Sequence, residues 1–303
     1  MLLPVAYALT ALGAPRLRPE KPPSSIVLPA SVKDGTTLGR AAYEFDVPAE
    51  GLVSVAVIAS NPQLKVELRR LDDSVVARCT AKAGTCTTGA MLPPGRYRCR
   101  LSTRPLSNSY FSFELGLLTN ATLRTDGVSA GMAMAALRAL NAAYKRGDAR
   151  KPIVALSDMS VSSGEKRQWV YNASTQRLLV QVRVAHGEGS QSSSPGFANA
   201  FGDVPNSKKS SLGLMRTGRF YSGTYGRSLW LEGLEPTRNG HVRQRSIVVH
   251  PWEGADDTYV QSAHEVAPTW GCPGVSRALP ELYWTSLNGG ALMYFWHPSI
   301  EAE

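Results

Sequence analysis

The segment Arg245-Ser246-Ile247-Val248-Val249-His250-Pro251 is continued, after an acidic spacer, by Thr269-Trp270-Gly271-Cys272-Pro273-Gly274-Val275-Ser276. Its apolar run Ile247-Val248-Val249 reads as a buried strand that ends at His250. Glu253, Asp256 and Asp257 make the spacer polar. The chain then tightens. A lone cysteine stands between glycines and proline, so the backbone turns sharply and presents a thiol beside free N–H groups. His250 and Cys272 are 272 − 250 = 22 residues apart, which lets a strand end and a returning loop bring imidazole and sulfur together.

A cysteine and a histidine so placed have a chemical use. A free thiol of pKa near ~8.5 is mostly protonated at neutral pH, and only the thiolate attacks. An imidazole within reach takes the proton, and neighbouring N–H groups hold the oxyanion that forms on an attacked carbonyl. The bland reading, a buried cysteine beside an unrelated histidine, is not excluded by the pair alone. Metal chemistry has little support, because His186, His241, His250, His264 and His297 are scattered without a His-Glu-x-x-His or Cys-x-x-Cys motif. The serine-hydrolase elbow is absent as well: Gly187-Glu188-Gly189-Ser190 lacks the Gly-x-Ser-x-Gly spacing. No metal and no organic cofactor is expected.

Upstream of this segment the chain divides. With 303 residues there is room for two domains with proper cores. The net charge of +9 suits an anionic partner, but no basic helix or aromatic-interleaved motif points to nucleic acid, and a polyanionic cell envelope fits equally. No run reaches the about 20 apolar residues of a membrane-spanning helix. Residues 1–14 are apolar and end in small residues, like the core and cleavage end of a secretory signal without its basic start. A periplasmic or secreted location is expected on this reading. The bland alternative is an apolar segment packed on the body.

Residues 15–35 are proline-rich and read as an extended linker, so residues 1–35 form the first region. From 36 to 120 the pattern is β: Tyr43, Phe45 and Val47 alternate with polar neighbours, and Leu52–Ile58, Leu64–Leu68, Val75–Cys79 and Tyr110–Leu117 are strands between turns. Short strands at this spacing imply a β-sandwich. Tyr97, Cys99 and Leu101 alternate with Arg96, Arg98 and Arg100, so Cys99 points inward. A single bridge is expected among Cys79, Cys86 and Cys99, with Cys79–Cys86 and Cys79–Cys99 both open. The region 121–150 connects the halves by a helix over Val128–Gly147, whose Met132, Met134, Leu137, Leu140 and Tyr144 recur at helical steps and belong to the core.

The last region, 151–303, opens with strands at Ile153–Leu156, Gln168–Tyr171 and Leu178–Ala185. A long polar loop over 187–211 follows, of the kind that borders sites. Lys208, Lys209, Arg216, Arg219, Arg227, Arg238, Arg243 and Arg245 then bring positive charge towards His250. They form a solvated face, or they attract a substrate that carries carboxylates.

Here the residues carry a family resemblance. His250, the spacer and Thr269-Trp270-Gly271-Cys272 resemble the YkuD-type murein L,D-transpeptidase catalytic domain, whose pattern is a strand-end His followed by Ser/Thr-His-Gly-Cys. Lys166-Arg167-Gln168-Trp169-Val170, Val184-Ala185-His186-Gly187, Ser210-Ser211-Leu212-Gly213, Thr217-Gly218 and Leu229-Trp230-Leu231-Glu232-Gly233-Leu234 stand in the family's order. Trp270 replaces the usual His, and Pro251 removes a backbone N–H after His250. The resemblance implies a mainly β chain with a C-terminal β-rich catalytic domain. It implies Cys272 as nucleophile, His250 as base and Gly271 in the oxyanion hole, with His186, Ser211, Gly213, Arg245, Thr269 and Trp270 at the substrate. The substrate implied is a peptidoglycan tetrapeptide stem, acylating Cys272 with loss of D-Ala. L,D-carboxypeptidase action, D-amino-acid exchange, an exported antibacterial effector and a non-enzymatic wall-binding module are the alternatives. Tyr43-Glu44-Phe45-Asp46-Val47-Pro48-Ala49 and Leu92-Pro93-Pro94-Gly95-Arg96-Tyr97 resemble bacterial pre-peptidase C-terminal sandwiches, implying an accessory module for an envelope or protein partner.

Overall fold

The computed structural model describes residues 23–103 and 108–301. The apolar segment 1–14 lies outside them. Nine strands come first: β1 (Ser24–Ser25), β2 (Ala30–Leu38), β3 (Arg40–Val47), β4 (Gly51–Ala59), β5 (Lys65–Arg70), β6 (Val75–Thr80), β7 (Thr85–Leu92), β8 (Gly95–Ser102) and β9 (Asn108–Thr119). They form a five-stranded sheet of order β1-β3-β8-β5-β6 and a four-stranded sheet of order β2-β9-β4-β7. Period-two patterning explains the layering. Phe45 and Val47 of β3 and Tyr97, Cys99 and Leu101 of β8 face inward, and Val53, Val55, Val57, Phe113 and Leu115 meet them from the other sheet. Two outward arginines of β8 pair with Glu44 of β3, Arg98 at 2.8 Å and Arg96 at 3.1 Å.

One sequence reading changes here. The chain is already sheet from Ser24, inside the stretch expected to be linker: β1 pairs with β3 and β2 with β9. Ile26, Leu28, Ala30 and Val32, apolar at every second position, lie against the sandwich core, and that pattern outweighs the prolines before it. Strand β7, at the edge of the four-stranded sheet, has no run of bulky residues, and its small Gly89 admits Tyr144 of the helix that follows. The cysteine alternatives resolve to a Cys79–Cys86 disulfide, with Cys99 free and buried.

Helices α1 (Asn120–Thr125) and α2 (Ala130–Arg146) follow. Helix α2 ends at Gly147 in the left-handed conformation (φ 76°), whose N–H caps the carbonyls of Ala143 and Tyr144. Met132, Leu137, Leu140 and Tyr144 are buried as expected, but Met134 is 49% exposed, since it falls off the buried stripe. The helix lies between the two halves. Tyr144 reaches Ser54 of β4 at 3.1 Å and Asn141 accepts from the Met91 N–H of β7 at 3.0 Å. Its other contacts join Leu52 and Leu118 to the core of the C-terminal half. Close by, Ser174 donates to Glu114 at 3.0 Å, and a side chain on Gly116 would begin 2.5 Å from the Ser174 carbonyl oxygen.

The C-terminal half contains β10 (Ile153–Asp158), β11 (Gln168–Asn172), β12 (Arg177–Val182), β13 (Gly213–Gly223), β14 (Gly226–Gly233), α3 (Pro236–Asn239), β15 (Val248–Pro251), α4 (Asp257–Ala263), β16 (Gly274–Val275), α5 (Glu281–Leu287) and β17 (Leu292–Trp296). Its eight-stranded sheet runs β12-β11-β10-β17-β13-β14-β15-β16. Pairs β10–β17 and β15–β16 are parallel and the rest antiparallel. The chain is mainly β, as its sequence led us to expect. No helix of the described residues is long and apolar enough to cross a membrane.

Candidate active site

The end of the long sheet carries the site. Buried Val248 and Val249 hold β15 against β14, and His250 follows on the same strand. Parallel pairing sets His250 opposite Gly274, two residues past Cys272. The Cys272 sulfur lies along the backbone just before His250, 3.9 Å from the Ser246 carbonyl oxygen, with the Val248 N–H directed at it. Thiol and imidazole therefore occupy adjoining segments.

The imidazole is held by its own neighbour. His250 Nδ1 and the Pro251 carbonyl oxygen are 2.8 Å apart. A carbonyl can only accept, so Nδ1 carries the hydrogen and Nε2 keeps a free lone pair. Tyr225 stacks on the ring at 4.5 Å, and Trp252 meets it edge-on at 6.0 Å. Burial lowers the His250 pKa, partly offset by the Pro251 contact. Burial also raises the Cys272 thiol, opposed by the Val248 N–H and by the charge of Arg245. Thiol and neutral imidazole are thus the resting forms. Neither Asp256 nor Asp257 orients His250: Asp256 binds Arg277 and Ser276, and Asp257 binds Arg183.

Under the cysteine lies a chain of buried polar contacts. Thr269 donates its hydroxyl to the Cys272 carbonyl at 2.6 Å and accepts the Gly271 N–H at 3.2 Å. The Thr269 N–H is anchored in turn on the His186 carbonyl at 2.9 Å. Gly271 has φ +110° and lies against the Lys209 carbonyl, so only glycine fits this turn. His186 Nδ1 faces an Arg167 nitrogen at 3.0 Å, and since arginine only donates, Nδ1 accepts and Nε2 bears the hydrogen. Burial first, and the Arg167 charge second, push His186 down to about 3, so it stays neutral at any physiological pH. Arg167, fully enclosed, is lowered to about 9 by burial and remains charged.

The substrate candidates separate into two groups. Arg245, with 3% of its side chain exposed, grips Asp203, Ser211, and the carbonyls of Gly202 and Lys209. Ser211 donates to Asp203 at 2.8 Å, and Gly213 is buried where β13 pairs with β17. These three and His186 tie the 187–211 segment beneath the cleft. Thr269 is buried and fixes the turn, whereas Trp270 is 73% exposed beside Cys272, with Lys208 Nζ 5.0 Å from its ring centre. Much of the basic run is paired: Lys208 with Glu188, Arg216 with Glu232, Arg227 with Glu281 and Arg238 with Glu235. Sequence reading missed Tyr225, Tyr221 and Trp252 at this cleft. Tyr221 lies on β13, Tyr225 in the turn before β14 and Trp252 just past β15, so no single sequence pattern links them. Among the described residues no three His, Cys, Asp or Glu side chains converge as a metal site requires.

No curated protein matches the sequence. Among solved structures, the chain is similar to the pre-peptidase C-terminal domain of collagenase from Bacillus anthracis, with 18% identity over 34% of this chain and 99% of that one, TM-score 0.29. It is also similar to the Aeromonas hydrophila PliG, a periplasmic lysozyme inhibitor of g-type lysozyme, with 12% identity over 31% of this chain and 96% of that one, TM-score 0.24. A model of the L,D-transpeptidase catalytic domain matches residues 124–296, which is more than half of the chain and includes His250 and Cys272. The protein belongs to the YkuD-type L,D-transpeptidase catalytic domain family.

Proposed function

We propose that the protein is a cysteine-dependent peptidoglycan L,D-transpeptidase of the cell envelope, periplasmic or secreted, acting on tetrapeptide stems. One observation carries this reading: a cysteine on a fixed turn adjoins a neutral histidine whose Nδ1–H is held by the Pro251 carbonyl, leaving Nε2 as the base. In the first half-reaction His250 Nε2 takes the Cys272 proton as sulfur bonds to the carbonyl carbon of the third stem residue, a diamino acid. The Cys272 N–H, which has no hydrogen-bond partner among the described residues, faces the oxyanion, with Gly271 shaping the turn. The bond to the terminal D-Ala nitrogen breaks, and the imidazolium proton passes to that nitrogen. In the second half-reaction an acceptor amine gives its proton to His250, bonds to the acyl carbon and releases the thiol. The same residues serve hydrolysis when water replaces the amine.

The test is incubation of the protein and of Cys272→Ala with disaccharide-tetrapeptide, with products read by mass spectrometry. A cross-linked dimer lacking one D-Ala, absent from the variant, is the expected outcome. Tripeptide alone would replace transpeptidation by L,D-carboxypeptidase action. No reaction by folded wild-type protein would overturn the enzymatic reading on this substrate.

A further inference from the structure

One cation of the basic run differs from the rest. Arg243 is exposed, and its guanidinium lies 3.7 Å from the centre of the Trp230 ring. Among the described residues no carboxylate pairs with it. Stacking against an aromatic face fixes the plane of a guanidinium while leaving its N–H edge free to donate. Trp230 also carries Tyr221, stacked at 4.5 Å with the rings 18° from parallel. Strand pairing connects this cluster to Cys272: Trp230 of β14 lies opposite Val248 of β15, and the Cys272 sulfur is 3.9 Å from the carbonyl oxygen of Ser246, two residues before Val248. Burial raises the Tyr221 phenol, Ser228 lowers it, and it feels the charge of Cys272 and of Arg243 in opposite directions. Arg243, stacked on Trp230, therefore lies on the strand pair that flanks the sulfur. Lys209 and Arg219 also show no ion pair, but the Lys209 side chain runs along Gly189 and Gly202, and Arg219 lies against Gly289.

The geometry points to Arg243 as the anion receptor of the cleft, gripping a free carboxylate of the acyl donor close to the attacked carbonyl. This rests on the transpeptidase reading and adds the donor's charge state to it. A tetrapeptide donor has such a group on the terminal D-Ala and another on the diamino acid. A planar, oriented guanidinium suits either through two parallel N–H···O bonds. An amidated carboxyl lacks the negative charge and one acceptor, so it is the discriminating competitor.

The experiment compares wild-type protein with Arg243→Gln on three donors: both carboxylates free, the D-Ala amidated, and the diamino-acid carboxylate amidated. On the free donor the variant is expected to lose about tenfold in kcat/KM, mainly through KM. On the donor whose recognised carboxylate is amidated, wild type and variant should converge, and the amide that causes this names the carboxylate. An equal loss on all three donors overturns the inference, because Arg243 would then only brace Trp230. No loss on any donor overturns it too. A second arm titrates Cys272→Ala and the Cys272→Ala, Arg243→Gln double variant with the same donors by tryptophan fluorescence. If wild type turns over no donor, the transpeptidase reading falls and this arm decides. Preference for the free donor that vanishes with Arg243→Gln sustains the inference, and equal or absent binding sinks it.

Discussion

In the proposed mechanism His250 serves as a base only while its imidazole is neutral, and its surroundings extend that condition to lower pH. A histidine titrates near about 6.5 in water. Burial lowers the His250 value, so protonation, and with it loss of activity, is displaced to more acidic pH. The acid limb of kcat/KM should therefore have its midpoint below about 6.5. Tyr225 covers one face of the ring at 4.5 Å while itself 54% exposed. Tyr225→Ala admits water to that face, so the limb should move up towards the ordinary value, which a pH–rate profile of the two proteins will show. A limb that stays in place would assign the shift to other walls of the site. Pro251 has an unexpected part in this: the ring that removes its N–H leaves a carbonyl that sets the tautomer of His250.

Helix α2 shows what periodicity can and cannot deliver. Leu140 is fully buried, and Leu140→Ala should cost about 2–5 kcal/mol of stability. Met134 looks like its equal in the sequence but is exposed, and Met134→Ala should stay within about 0.5 kcal/mol. Urea unfolding of both variants checks the contrast. The sandwich strands with bulky alternating residues, such as β3 and β8, were legible because one face of each is core. Strand β7 was not, because its inward Thr88 and Ala90 carry little side chain for a pattern to register. At the site, Cys272, Gly271 and His250 stood out because glycine, proline and a strand end mark them locally. The scaffold roles of Arg245, Ser211 and His186 were hidden, since a polar side chain facing a substrate and one facing a buried partner look alike in one dimension. Only the ring of contacts around Asp203 tells them apart.

On the scale of the whole molecule, α2 and the Glu114–Ser174 contact join the sandwich to the catalytic half through one continuous apolar cluster. The sandwich keeps its own core, but Leu52 and Leu118 belong to the cluster of the other half, so the two should unfold together and calorimetry should show a single transition, not two. Two separate transitions would mean that the shared cluster contributes little. The four cysteines make this opening visible. Cys79 and Cys86 are joined, and Cys99 is sealed in the sandwich, where burial pushes its thiol up to about 12. Cys272 is the other free thiol, and it is only partly covered. The native chain is therefore a two-speed clock under an alkylating reagent. The first adduct counts competent nucleophiles, and the second, at Cys99, marks the moment at which the sandwich opens.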